Sequence, residues 1–430
     1  MILDPVRLLK ELVRIDTVNP PGGEMRIVRR LAEILEEAGV ACTVQEPVPG
    51  RGNIIALLPA ENPAEKPLFL LSHLDVVPAD GDGWQYPPFE AQEHDGYIYG
   101  RGTVDTKQLT VMELAAFLAL KQRGTALRRD VFFLATCDEE AGSRYGMRWF
   151  LEHEIEIDGR VKTGADWIAG SDVISEGGGF PVVACGKEYY LCESGQKSCG
   201  TVEFTVKARK AKGPYFASGD GMARAMALAC DIGRTEMEGA ALETVRRFES
   251  RLNGARLSPM MAKILDAMKR NTMTVTMIAG KNVNTVTVTC DVRLLPGFGR
   301  DYLQRVLDSL CEKWDCEARI LDLSDGYESS PDSGFLTILE NATLAELGKT
   351  RQEAEILPFV SMGSSDGRYL TRTGARVYGY SPVFGWDMTF DSAVKMVHGV
   401  NERIHRDSVV FGSRVLSRAV LAAAGEEKEA

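Results

Sequence analysis

The sequence predicts an α/β protein: a mixed, mostly parallel sheet flanked by helices, interrupted by an inserted α+β unit of ferredoxin-like order. Three observations predict it. Short, unalternating apolar runs at 53–58, 68–71 and 131–135 read as strands buried on both faces of a sheet. Helical patterns with their own start and stop signals separate them. From about Gly195 the texture changes to alternating, Val- and Thr-rich segments, and helix–strand alternation returns after about Ser333.

Taken in order, Asp4 can cap a first helix with Pro5 at its opening position, and Leu8, Leu9, Leu12 and Val13 form its apolar face. A second helix, about 24–38, stops at Gly39, and a third, about 107–123, is closed by Gly124. In the interruption, 201–208 alternates as a half-buried strand, and one long helix is expected over 220–251. Strands at 273–279 and 285–295 form a hairpin with Gly280-Lys281 near its turn, and helix 302–314 and strand 317–323 complete a β-α-β-β-α-β order. Residues 324–333 are the linker back. The expected division is therefore 1–195 with 327–430 as one domain, and 196–326 as an inserted one.

Composition bounds the function. The chain has 430 residues, long for one core, and 44% hydrophobic with 26% charged residues is ordinary for a soluble globular protein. A net charge of −11 argues against a nucleic-acid partner and an anionic membrane surface. Nine scattered cysteines read as reduced thiols rather than a disulfide framework. No segment reads as a signal peptide or a membrane span, so a cytoplasmic location is expected.

Ligands of α/β sheets sit beyond the carboxyl ends of the strands, and five acidic or histidine motifs fall there or in loops. In Ser72-His73-Leu74-Asp75, His73 leaves an apolar strand; its ring can ligate a metal while Asp75 accepts the other N–H, or it can be a hydrogen-bonded loop histidine. Gly100-Arg101-Gly102-Thr103-Val104-Asp105-Thr106-Lys107 ends with an acid at a helix start, where it caps the helix or ligates. Asp138-Glu139-Glu140 puts three carboxylates in a row, either a solvated turn or a cation site, because like charges so close resist joint ionisation without a cation. Glu176 precedes Gly177-Gly178-Gly179, and Val397-His398-Gly399-Val400-Asn401-Glu402 holds another histidine. His94, His153 and His405 read as surface residues.

The order of these motifs, over residues 12–415, resembles the M20 metallopeptidases, a family of aminoacylases, carboxypeptidases, dipeptidases and deacylases. The resemblance implies a zinc-peptidase catalytic domain with a lid at 196–326 that in many members makes a dimer contact. It implies Asp105 as a carboxylate bridging two zinc ions, one completed by His73 and Glu176, the other by Glu140 and His398; cobalt or manganese can occupy such a site. Glu139 would be the general base, with Asp75 supporting His73, and a bridging hydroxide would attack the amide of an N-acyl amino acid or short peptide. Asn282 and Arg293 match positions that bind the substrate carboxylate, although Arg293 can equally be a strand residue paired with a neighbour, and Gly363-Ser364-Ser365-Asp366 resembles a glycine-rich segment near the substrate. A homodimer through the lid is implied too. One departure stands out: where family members carry a lid histidine, this chain reads Gly213-Pro214-Tyr215-Phe216-Ala217-Ser218, with Phe216 in its place. Losing an oxyanion donor costs about 10²–10³ in rate. The alternative is therefore an M20-like protein with altered lid chemistry, running a non-standard amide or ester reaction or binding metal and ligand without hydrolysis.

Overall fold

Asp4 accepts the backbone N–H groups of Val6 and Arg7 at 3.0 and 3.1 Å and starts the helix Pro5–Val13, whose Leu8, Leu9, Leu12 and Val13 are buried as their spacing requires. The computed structural model describes residues 3–209, 220–282 and 285–426. Helices Met25–Glu37 and Lys107–Arg123 follow, the latter ended by Gly124 in the left-handed conformation.

Among the described residues the large sheet runs, in spatial order, Cys42–Val48, Arg51–Leu58, Val131–Thr136, Leu68–His73, Asp172–Ser175, Arg376–Gly379, Lys187–Gln196 and Pro181–Ala184, with Ala354–Ser361 and Tyr327–Glu328 also on Lys187–Gln196. Leu68–His73 pairs in parallel with Val131–Thr136 on one side and Asp172–Ser175 on the other. Asp172–Ser175 is parallel to Arg376–Gly379, and Lys187–Gln196 to Ala354–Ser361. The remaining pairings are antiparallel, which makes the sheet mixed. Arg51–Leu58 is one of the antiparallel strands: a tight hairpin joins it to Cys42–Val48, and it runs against Val131–Thr136. It is buried along its whole length, so its apolar run could not distinguish the two directions.

The smaller sheet has the order Thr272–Asn282, Thr285–Leu294, Ser198–Lys207, Glu317–Leu323, antiparallel throughout. Helices Asp220–Ile232 and Arg300–Trp314 pack on it around Val202, Phe204, Leu228, Val288, Leu303 and Leu307. This is the expected β-α-β-β-α-β order. The single helix expected over 220–251 is instead two, Asp220–Ile232 and Glu243–Arg251. The second leaves the small sheet and buries Val245 and Phe248 in the core of the large one. A further helix, Pro259–Ala267, follows it. His405, expected at the surface, instead accepts the Asp407 backbone N–H at 3.2 Å and caps the helix Arg406–Ala424. Among the described residues no helix is long and apolar enough to cross a membrane.

Candidate metal centre

Three adjacent parallel strands end at one edge of the large sheet, and each delivers part of the cluster: His73 closes Leu68–His73, Glu139 and Glu140 follow Val131–Thr136, and Glu176 follows Asp172–Ser175. Asp105 arrives from the loop before Lys107–Arg123 and His398 from the turn after the helix Phe390–Met396. Asp105 is not the helix cap; Thr106 holds that position. Its Oδ1 lies 3.2 Å from His73 Nε2 and its Oδ2 3.1 Å from His398 Nε2. Glu176 Oε2 is 3.5 Å from the first imidazole, and Glu140 Oε2 is 3.3 Å from the second. The five side chains expected as ligands thus form two imidazole–carboxylate pairs joined through one carboxylate.

The donor set fits metal. Imidazole and carboxylate donors about 2.0–2.1 Å from a tetrahedral zinc stand roughly 3.3 Å apart, close to the separations found. Glu140 Oε1 is buried with no hydrogen-bond partner among the described residues, and such an orphaned carboxylate oxygen is costly unless a cation meets it. Potential ligand atoms of His73, Glu139 and Glu176, and of His73, Asp105 and Glu140, come within 4.8 Å of one another.

Electrostatics agree. Burial pushes the Glu176 carboxyl up to about 7, against the pull of His73. Burial, then Glu176, holds Glu139 well above the ordinary carboxyl range. Hydrogen bonds to Asp105 and Glu140 lift His398 to about 10. Without cations the cluster therefore retains protons that cations would displace.

Supporting residues orient these groups. His73 Nδ1 lies 3.0 Å from the backbone oxygen of Asp75 and 3.6 Å from its carboxylate, so the main chain is the nearer acceptor. The Asp75 carboxylate accepts the backbone N–H groups of Glu139 and Glu140, both at 3.1 Å, and the Asn19 amide at 2.8 Å. It positions the acidic pair as much as the histidine. Glu402, fully buried, accepts from Arg101 at 2.8 Å and from the backbone N–H of Val104 and Asp105 at 2.6 and 3.1 Å. Gly102 also donates to it, at a φ of +91° that a side chain would strain. Arg368 Nη2 approaches Glu139 Oε1 at 3.5 Å, and Asp366 accepts from Thr136 at 2.8 Å and from Ser143. No functional part was read for Glu402 or Arg368 in the sequence; the Glu402 position after His398 was the available signal.

Of the residues expected at the substrate, Arg293 and Gly363-Ser364 line a cavity of about 900 Å³ beside Glu139, Glu140 and His398. Arg293 pairs there with Asp291, two residues away on its own strand, and donates to the Met362 oxygen at 3.1 Å. Asn282 ends the strand Thr272–Asn282, and its side chain lies outside the described set. Tyr215 and Phe216 also lie outside the described residues.

The sequence matches the description Peptidase family M20/M25/M40 over residues 69–422, and that span includes the whole cluster. The chain belongs to the M20 peptidase family. It is 36% identical over 148 residues to aminoacylase-1 of Sus scrofa, a match that covers 34% of this chain and 36% of that protein. With an N-fatty-acyl-amino acid synthase/hydrolase of Xenopus tropicalis it shares 26% identity over 374 residues, 80% of this chain and 70% of the relative. Among solved structures, an M20 family metallo-carboxypeptidase from Sulfolobus solfataricus superposes with a TM-score of 0.73 at 18% identity, over 97% of this chain and 98% of that one. Human carnosine dipeptidase 1 gives 0.62 at 18% identity, over 97% and 96%. These structures share the fold; the family match places the chain among the M20 peptidases, and the residues gathered at the sheet edge are groups that could hold metal.

Proposed function

We propose that the protein hydrolyses the amide bond of an N-acyl amino acid or short peptide bearing a free carboxylate, using two divalent ions, zinc foremost. The observation that carries this reading is the span of Asp105, whose two oxygens face two different histidines at 3.2 and 3.1 Å. His73, Glu176 and Asp105 would hold one ion, and Glu140, His398 and Asp105 the other. Bound there, the ions supply Lewis-acid polarisation of the substrate carbonyl and a water acidic enough to lose a proton near neutral pH. Glu139 does the proton work. Buried beside the cluster, it takes the proton of the attacking water at a carboxylate oxygen and returns it to the leaving nitrogen. Asp75 keeps it in place through the Glu139 backbone N–H. Residues 196–326 act as the lid and carry a homodimer contact. All nine cysteines are free thiols, which supports a cytoplasmic setting.

The test is Glu139→Gln in metal-loaded protein against a panel of N-acyl amino acids and dipeptides. Turnover should fall by roughly 10²–10⁴, the usual range for a general base, with two ions per chain retained. Undiminished turnover would remove Glu139 from the mechanism, and loss of metal would make it a ligand instead.

A further inference from the structure

Two cavities meet at the cluster, and their chemistry differs. The larger is walled by Arg144, Arg148, Arg293, Arg368 and Arg372 against Glu152, Asp322 and Asp325, an excess of cations outside the cluster. A second, of about 380 Å³, is walled by Phe180, Met260, Ile264, Phe359, Phe390 and Val397. Glu139, Glu140 and His398 line both. A substrate whose scissile bond lies at Glu139 therefore extends toward cations on one side and toward hydrocarbon on the other.

The apolar wall is built rather than incidental. Ser258 caps the helix Pro259–Ala267 by accepting from Met261 N–H at 3.1 Å, and Pro259 opens it. Met261 is fully buried in the core of the large sheet, as is Met268 just past the helix end, and they anchor it. Met260 and Ile264, one turn apart, share a face and line the cavity while remaining only half-buried. Phe359 and Phe390 meet edge to face, 5.6 Å between ring centroids. Phe180 is seated by the glycine run: a Cβ on Gly178 would lie 2.5 Å from the backbone oxygens of Gly379 and Leu191, so only glycine lets the chain pass. Among the described lining residues the one acid outside the cluster is Glu193, and its Oε1 already accepts the Tyr327 hydroxyl at 2.6 Å.

We propose that the apolar cavity is the acyl subsite and that the protein prefers N-acyl amino acids with an extended apolar acyl chain, their carboxylate lying among the arginines. This rests on the hydrolase reading above. In an N-acyl amino acid the carboxylate is joined through one carbon to the amide nitrogen, whereas the acyl substituent leaves from the opposite side of the carbonyl. With the carboxylate among the arginines, the acyl chain points to the phenylalanines. A dipeptide would hold its ammonium one carbon from the scissile carbonyl, beside the cluster carboxylates that line the same cavity, and only its side chain would reach the hydrocarbon wall.

The experiment compares kcat/KM for N-octanoyl- and N-acetylglycine. Burial of one methylene contributes about fourfold, from ~0.8 kcal/mol, so incomplete burial of the longer chain still predicts an octanoyl preference of roughly a hundredfold or more. Ile264→Trp, which fills the cavity, and Ile264→Glu, which charges it, should each cut that ratio at least about tenfold; two variants guard against one that misfolds. Calorimetric binding of both compounds to metal-loaded Glu139→Gln protein gives the same preference without turnover. Equal values for the two compounds, or a ratio untouched by both substitutions, would overturn the acyl subsite while leaving the hydrolase reading intact. A shift in amino-acid preference at fixed acyl group would also overturn it, by assigning the cavity to the side chain. No turnover of either compound would count against the hydrolase reading, and the binding preference would then decide the cavity alone.

Discussion

Glu402 touches none of the candidate ligand atoms of the cluster, yet it holds the loop that carries Asp105. Its carboxylate gathers Arg101 and the N–H groups of Gly102, Val104 and Asp105, so the backbone of Asp105 is set from a residue about three hundred positions away. Partners that orient a ligand typically change metal affinity 10–100-fold when lost. Glu402→Gln, which replaces half of an acceptor by a donor facing those N–H groups, should weaken metal binding by about that factor while the fold persists. Competition with a chelator of known affinity measures it, and an unchanged dissociation constant would reduce Glu402 to a structural role. The five candidate ligands, which the fold brings together, were readable because each motif carried its own local signal: an acid or imidazole at a strand end or beside glycines. Glu402 and Arg368 act through contacts across the fold; the place of Glu402 in the motif after His398 marks it, but nothing near either residue in the chain says which groups it meets.

At the scale of elements the same division holds. Strands 68–73 and 131–136, the helix capped by Asp4 and the helix closed by Gly124 were legible from apolar runs and caps. The direction of Arg51–Leu58 was not, because burial on both faces is the same for either direction. The break after Ile232 coincides with Gly233, a helix-stop residue that the single helix expected over 220–251 overrides, and beyond it the buried face changes partner, from the small sheet to the large one. Strand Lys187–Gln196 carries a testable consequence. Its Glu193 is buried among Tyr327, Ser361 and Glu176, and burial pushes its carboxyl up to about 8, against the hydrogen bonds from Tyr327 and Ser361. The unfolded carboxyl titrates near 4.3, so between those values the folded chain keeps a proton the unfolded chain has lost. Stability from this group is intact below about pH 4, falls as pH rises, and levels above about 8. Glu193→Gln keeps an acceptor for Tyr327 and removes the titration. The Tm of the variant should therefore gain on that of the parent between pH 5 and pH 8, and parallel curves would show that Glu193 does not titrate in that window.

Across the whole molecule the two sheets are joined where Lys187–Gln196 runs into Ser198–Lys207 and Tyr327–Glu328 returns beside it, pairing with Gly195 and Gln196. Lys197, between the two strands, is buried and donates to the Arg270 oxygen at 2.6 Å. Beyond this junction, Arg293 reaches from the small sheet to the Met362 oxygen, and its fork also faces the cation-lined cavity. Two roles are proposed for this one side chain: holding the small sheet against the edge that carries the cluster, and meeting the substrate carboxylate. They separate kinetically. Arg293→Ala removes both, but only the carboxylate contact depends on the substrate's charge. Hydrogen bonds to charged groups contribute about 1.5–3 kcal/mol, so KM for a free N-acyl amino acid should rise roughly tenfold to a hundredfold, while its methyl ester, which lacks the charge, changes much less. Equal losses on acid and ester would assign Arg293 to the junction alone. Arg293→Lys sharpens the comparison, because an ammonium retains charge but not the planar fork that here spans Asp291 and Met362. Retained KM for the acid in that variant, with Tm lowered, would mean that charge serves the substrate while the fork serves the junction.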